Sequence, residues 1–240
     1  MRYKFLFLLM VVALAPGISQ AAQKKTSQNT KWCQSKTKPK VNVQLKTEAI
    51  RWIMSWPEKS ITRTFMNNRP VNYTNPWGKD VKIVVEGLAE QSLQMSGQWK
   101  FDWTRSPDKM QVCLGYKSID ITIKFAPEIY IASEYLPGTC HHNAVKKHEL
   151  KHINTYRIVA NKYAKLMGEA LQKELMQYGT YGPASVYSHK QVYEAANKRI
   201  DYLVDHYAAA MQAENRAMQK QVDTLEEYMA VDRECDGRSS

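Results

Sequence analysis

Residues 93–103 read LQMSGQWKFDW. The odd positions carry Leu93, Met95, Gly97, Trp99, Phe101 and Trp103, and the even ones carry Gln94, Ser96, Gln98, Lys100 and Asp102. Successive side chains of a strand point to opposite faces, so this period of two predicts a half-buried strand with one wet face. Ile119, Ile121, Ile123 and Phe125 alternate with Asp120, Thr122 and Lys124 in the same way. VNVQL from Val41 and VKIVV from Val81 are further strand candidates, with NPWGKD and TRSPDK as turns. Strands with one wet face are the mark of antiparallel sheets. Residues 41–135 are therefore expected to form a mostly antiparallel β-sheet.

The composition then changes. All six tryptophans lie at or before Trp103, and no Trp or Phe follows Phe125. Val145, His148, His152, Tyr156, Val159, Tyr163, Leu166 and Ala170 recur at spacings of three and four, which is a helical stripe. It runs from about Asn143 to Tyr178 and stops at GTYGPAS. A second stripe, Tyr193, Ala196, Ile200, Leu203, Tyr207 and Met211, predicts a helix from near Ser188 to at least Met218. Two long helices joined by a short loop should lie antiparallel. The expected fold class is α+β: the sheet first, then a two-helix hairpin over 136–230, then a polar tail over 231–240.

The N-terminus has the layout of a secretory signal peptide. Arg2 and Lys4 precede an apolar run from Phe5 to Ala15, then Pro16-Gly17 and the small residues Ser19 and Ala21. The run is shorter than the ~20 residues that span a bilayer. Cleavage near Ala21/Ala22 is expected, giving a periplasmic or secreted protein with no transmembrane segment. Residues 22–40 read as a polar basic leader. Loss of the signal lowers the formal charge of +11 by two. The remaining excess suits contact with an anionic envelope surface. It lacks the aromatic interleaving of a single-strand nucleic-acid platform, so no specific nucleic-acid partner is expected. The four cysteines, Cys33, Cys113, Cys140 and Cys235, suggest disulfides in an exported chain, and three pairings are open. Cys140 beside His141 and His142 could instead bind metal.

Residues 148–152 read HELKH. On a helix, His148 and His152 lie one turn apart on one face and can aim imidazole nitrogens at one ion. Glu149 sits about 100° round the helix, where it can reach a water on that ion and act as general base. Lone histidines on a buried stripe would be costly without partners. Zinc is the metal this pattern predicts. The metzincin continuation is absent, since Thr155 and Ile158 stand where Gly and His would follow. Glu169 and Glu174 are on the same rod, and Glu169 is about 25 Å along it. The third ligand is expected from the partner helix. Glu194, Asp201, Asp205 and His206 are the candidates, and His206, beside Leu203 and Tyr207 on the apolar stripe, is favoured. His141 and His142 are either groups that orient a ligand or exposed residues of the helix entry. Tyr202 and Tyr207 flank His206 and are either oxyanion donors or core.

With HELKH on a helix after a β-rich region, the chain resembles a bacterial family described as secreted zinc-dependent proteases with a domain of unknown function. That family also carries Asp-x-x-Thr, one more residue, then His on a later helix. Asp201 and His206 match the outer spacing, with Val204 in place of Thr and Tyr207 in place of a frequent Gly. Ile153-Asn154-Thr155 replaces a frequent Phe-Asp-Ile. The resemblance implies zinc and hydrolysis of a peptide or protein substrate. The alternative expectation is a non-catalytic envelope protein whose metal site is structural or missing.

Overall fold

The computed structural model describes residues 31–34, 38–68 and 83–235. The expected signal and most of the expected leader, the expected NPWGKD turn, the start of VKIVV and the last five residues lie outside them. The elements are β1 (Lys40–Thr47), β2 (Arg51–Ile53), α1 (Glu58–Asn67), β3 (Gly87–Arg105), β4 (Gln111–Ile131), α2 (Cys140–Tyr178), β5 (Thr180–Ser185), α3 (His189–Val222) and α4 (Leu225–Cys235).

β4 is the axis of the sheet. β3 runs antiparallel along one of its edges, from Gly87 opposite Ile131 to Arg105 opposite Val112. The turn between them is closed by Asp108, whose Oδ1 accepts from Met110 N at 3.0 Å, and by Lys109 at φ 63°. The other edge of β4 takes three strands end to end. β5 pairs antiparallel at Gln111–Gly115, β1 parallel at Ser118–Phe125 and β2 parallel at Glu128–Tyr130.

This corrects the expected mostly antiparallel N-terminal sheet. The path β1-β4-β2 is parallel, and β5 comes from after α2, where a loop was predicted at GTYGPAS. Alternation reports that one face is wet and says nothing of strand direction. Direction is set by the connections, and here α1 and β3 intervene between β2 and β4.

The apolar face of β4 carries Ile119, Ile121, Ile123, Phe125, Ile129 and Ile131. Leu114 and Tyr116 join the same core although their parity differs. The register shift opposite Lys100/Phe101 leaves exposed Lys117 as the extra residue that restores the facing. α2 and α3 cover this face with Ala164, Met167, Leu171, Leu175, Ala196 and Ile200. Val145 and Ile153 pack on Phe125, Ile129 and Ile131 nearer the start of α2. On the opposite face α1 buries Ile61 against Tyr130 and Ala132.

α2 and α3 form an antiparallel hairpin. Glu174 takes Arg199 in a two-pronged pair (2.6 and 2.9 Å) near the loop, Lys162 meets Glu214 at 2.7 Å midway, and Gln219 meets His152 at the far end. α2 starts at Thr139, whose Oγ1 accepts from His142 N. His142 is buried with its Nδ1 on Tyr135 O, and His141 stacks on the Tyr135 ring, so this pair builds the helix entry. Disulfides join Cys33 to Cys113 and Cys140 to Cys235, which removes Cys140 as a metal ligand. The second bond ties the end of α4 to the start of α2, so residues 231–235 of the expected loose tail are helical. Among the described residues no helix is long and apolar enough to cross a membrane.

Candidate metal centre

His148 and His152 project from the first third of α2 into the open end of the hairpin. There α3 breaks off at its C-cap, Asp223, which has non-helical φ −83° and ψ 62°. Thr224 Oγ1 accepts from Glu227 N and starts α4. The break turns the Asp223 carboxylate back toward α2. His148 Nε2 and His152 Nε2 are 3.3 Å apart, and Asp223 Oδ1 is 3.1 Å from the latter and 3.9 Å from the former. Zinc–nitrogen and zinc–oxygen bonds of about 2.0–2.2 Å at tetrahedral angles need ligand atoms about 3.3 Å apart. The three atoms therefore fit one zinc ion, and among the described residues they are the one His/Cys/Asp/Glu group that does.

The proton inventory agrees. Gln219 Nε2 donates to His152 O (3.1 Å) and to Asn215 Oδ1 (3.3 Å), which turns Gln219 Oε1 toward His152 Nδ1. Nδ1 is then the donor, so once His152 gives up its second proton the lone pair a metal needs is on Nε2. His148 Nδ1 is buried without a hydrogen-bond partner among the described residues. Its ring is held by contacts with His152 (5.0 Å) and Tyr228 (5.2 Å). In the metal-free protein, burial opposes charge on His152. Hydrogen bonds with Asp223 and Gln219 and the charge of Glu149 outweigh it and raise His152 to about 8. Burial likewise pushes the Asp223 carboxyl up, but hydrogen bonds from His148, His152 and Tyr228 hold it well below the usual range.

Glu149 is 5% exposed and lies against the start of β3. The Ala89 N–H hydrogen-bonds its carboxylate, and Gly87 leaves the space it occupies. Burial raises its pKa, and the histidines oppose this only in part. A Cβ at Gly87 would sit 2.7 Å from Glu149 Oε1. The outer edge of β3 has no strand partner among the described residues. Glu86 O accepts from Ala132 N, on the β4 side, so by alternation the polar backbone groups of Gly87 and Ala89 face outward. A cleft of about 600 Å³ opens there between α1, β3, α2 and α4, with Phe65, Val85, Leu88, Val145, Leu225 and Val231 among its walls.

His148, Glu149 and His152 thus come together as the sequence predicts, and His206 does not join them. It is exposed, stacked on Tyr202 and edge-on to Tyr207. It lies 17 positions before Asp223 on one helix, about 25 Å away. Asp205, Asp201 and Glu194 are exposed and farther still. Glu174 is held by Arg199 and Glu169 faces Lys165, both remote from the histidines. Asp223, Gln219, Tyr228 and Gly87 were missed. The hairpin register held the signal for the first two. His152 precedes the end of α2 by 26 residues, and the residue 26 after the start of α3 is Asn215, one turn before Gln219 and two before Asp223. No known protein family, curated protein or solved structure matches the chain.

Proposed function

We propose that the protein is an exported zinc-dependent hydrolase, most simply a metallopeptidase, with His148, His152 and Asp223 as ligands and Glu149 as general base. The observation that carries this reading is the convergence of three candidate ligand atoms at zinc spacing beside a buried carboxylate, on a strand edge without a strand partner among the described residues. Zinc held there supplies Lewis acidity, which polarises a carbonyl and makes a water acidic enough to attack near neutral pH. Glu149 takes the proton from the attacking water and returns it to the leaving amine. Its raised pKa suits both halves of that transfer. An extended peptide adding to the β3 edge at the Gly87 backbone and the Ala89 carbonyl would pass beside Glu149, which occupies the Ala89 N–H. Two disulfides support an oxidising, exported setting, and the signal-like residues 1–21 favour the periplasm or the exterior.

The test is zinc content of the mature protein purified without chelators, beside His148→Ala, Asp223→Ala and His206→Ala. About one zinc per chain is expected in wild type and His206→Ala, and none in the other two. Glu149→Gln should keep the zinc and lose hydrolysis of a denatured protein substrate. Zinc retained by Asp223→Ala, or hydrolysis retained by Glu149→Gln, would refute the assignment.

A further inference from the structure

α4 does more than close the chain. It runs back over the open end of the hairpin, from the Asp223 break to the Cys140–Cys235 disulfide at the start of α2. Two ion pairs fasten it along the way, Lys151–Glu227 and Lys147–Glu234 (3.3 Å). This brings Tyr228 into the wall of the cleft, with its ring centroid 5.2 Å from that of His148. Its hydroxyl donates to Asp223 Oδ1 at 2.8 Å. That oxygen is the one facing both histidine Nε2 atoms.

Asp223 needs such a partner. It is not on a helix, where backbone and neighbouring side chains would limit its rotamers, but at a break between two. Its carboxylate can turn away into the cleft, and the side chain is about one-third exposed. The two histidines that face it are proposed ligands themselves, and a ring nitrogen that gives its lone pair to zinc has no hydrogen to donate to Asp223. Tyr228 is the group outside the ligand set that binds this carboxylate among the described residues. It can go on donating when the histidines cannot.

We infer that Tyr228 is a positioning residue of the metal centre, whose hydroxyl holds Asp223 aimed at His148 and His152. The inference deepens the zinc-site reading above and rests on it. Partners of this kind cost roughly 10- to 100-fold in metal affinity when removed. The experiment is zinc affinity by chelator competition, together with the visible spectrum of the cobalt-loaded protein. Wild type is compared with Tyr228→Phe and Val231→Ala, all with the disulfide intact. Tyr228→Phe keeps the ring on His148 and removes only the hydroxyl, whereas Val231→Ala loosens α4 packing without touching Asp223. Expected are a 10- to 100-fold weaker affinity and a shifted cobalt spectrum for Tyr228→Phe, with both readouts unchanged for Val231→Ala. Affinity within twofold of wild type in Tyr228→Phe would overturn the role of Tyr228 and leave the zinc site standing. Equal losses in both variants would assign the effect to α4 packing and overturn it as well. No metal uptake by wild type would overturn this role and the zinc site together.

Discussion

Gly87→Ala separates catalysis from metal binding. The added Cβ would lie 2.5 Å from Val145 Cγ1, 2.7 Å from Glu149 Oε1 and 2.9 Å from Glu149 Cγ. Ordinary contact begins near 3.4 Å, so the neighbours must retreat by more than half an ångström. Val145 is 3% exposed and wedged against Phe125, Ile129 and Ile131, so it cannot yield. Glu149 must move instead, away from the Ala89 N–H that holds it. Overpacking of this kind costs about 1–3 kcal/mol of stability. A catalytic group displaced by about 1 Å costs about 10²-fold in rate. The three atoms nearest the new methyl belong to Val145 and Glu149, none to His148, His152 or Asp223, so zinc content should stay near one per chain. The assay is kcat/KM on a denatured protein substrate, with zinc content and the urea midpoint measured on the same preparation. Activity within twofold of wild type would refute the reasoning, since Glu149 would then not need its seat against β3. Loss of zinc would refute it differently, by showing that β3 supports the ligands.

Gln219→Leu leaves the Nδ1–H of His152 buried without an acceptor, so chelator competition should show zinc affinity weaker by roughly 10- to 100-fold. Gly168→Ala should stabilise the protein by about 0.5–1 kcal/mol in urea unfolding. Gly168 is inside α2, and its new Cβ would meet Val43 at an ordinary 3.7–3.8 Å; a lower midpoint would contradict this. The metal-free protein should lose stability with rising pH. His152 titrates at about 8 when folded against 6.5 unfolded, so its contribution is full below pH 6.5 and vanishes as pH rises through 8, about 2 kcal/mol in all. Glu149, raised by burial, acts with the same sign. Urea midpoints at pH 6 and 9 check this, and zinc should flatten the difference because a ligated imidazole no longer takes up a proton.

What could be read without coordinates divides along lines of locality. The alternation in 93–103 and 119–125 marks strands, because side-chain facing depends on nearest neighbours. HELKH marks two candidate ligands on one face, because residues four apart meet on any helix. Strand direction was misread, since β1 pairs with β4 residues 78 positions further on and no periodicity records that. The place of the third candidate ligand was misread for a different reason. His206 is a better metal ligand than Asp223 by residue type, and it borders the second stripe. Counting outward from the loop would have excluded it, since His206 faces the middle of α2, while the end of α3 faces HELKH. Gly87 carried no sequence signal, because its role comes from a close approach between a strand start and a helix side chain.

The same geometry explains how the site can stay assembled without metal. The loop joins the hairpin arms at one end, and the candidate site lies at the other. At that end the seam gives way to polar groups: His148, His152, Asn215, Gln219 and Asp223. Asp223 pairs with His152, and Gln219 bridges His152 at both its ring and its carbonyl. A protonated His152 beside an ionised Asp223 replaces the metal charge with a proton, so the ligand atoms keep their spacing. On the proposed zinc reading, metal would enter by displacing that proton rather than by drawing the arms together, and affinity would depend chiefly on proton competition and on how firmly Asp223 is aimed.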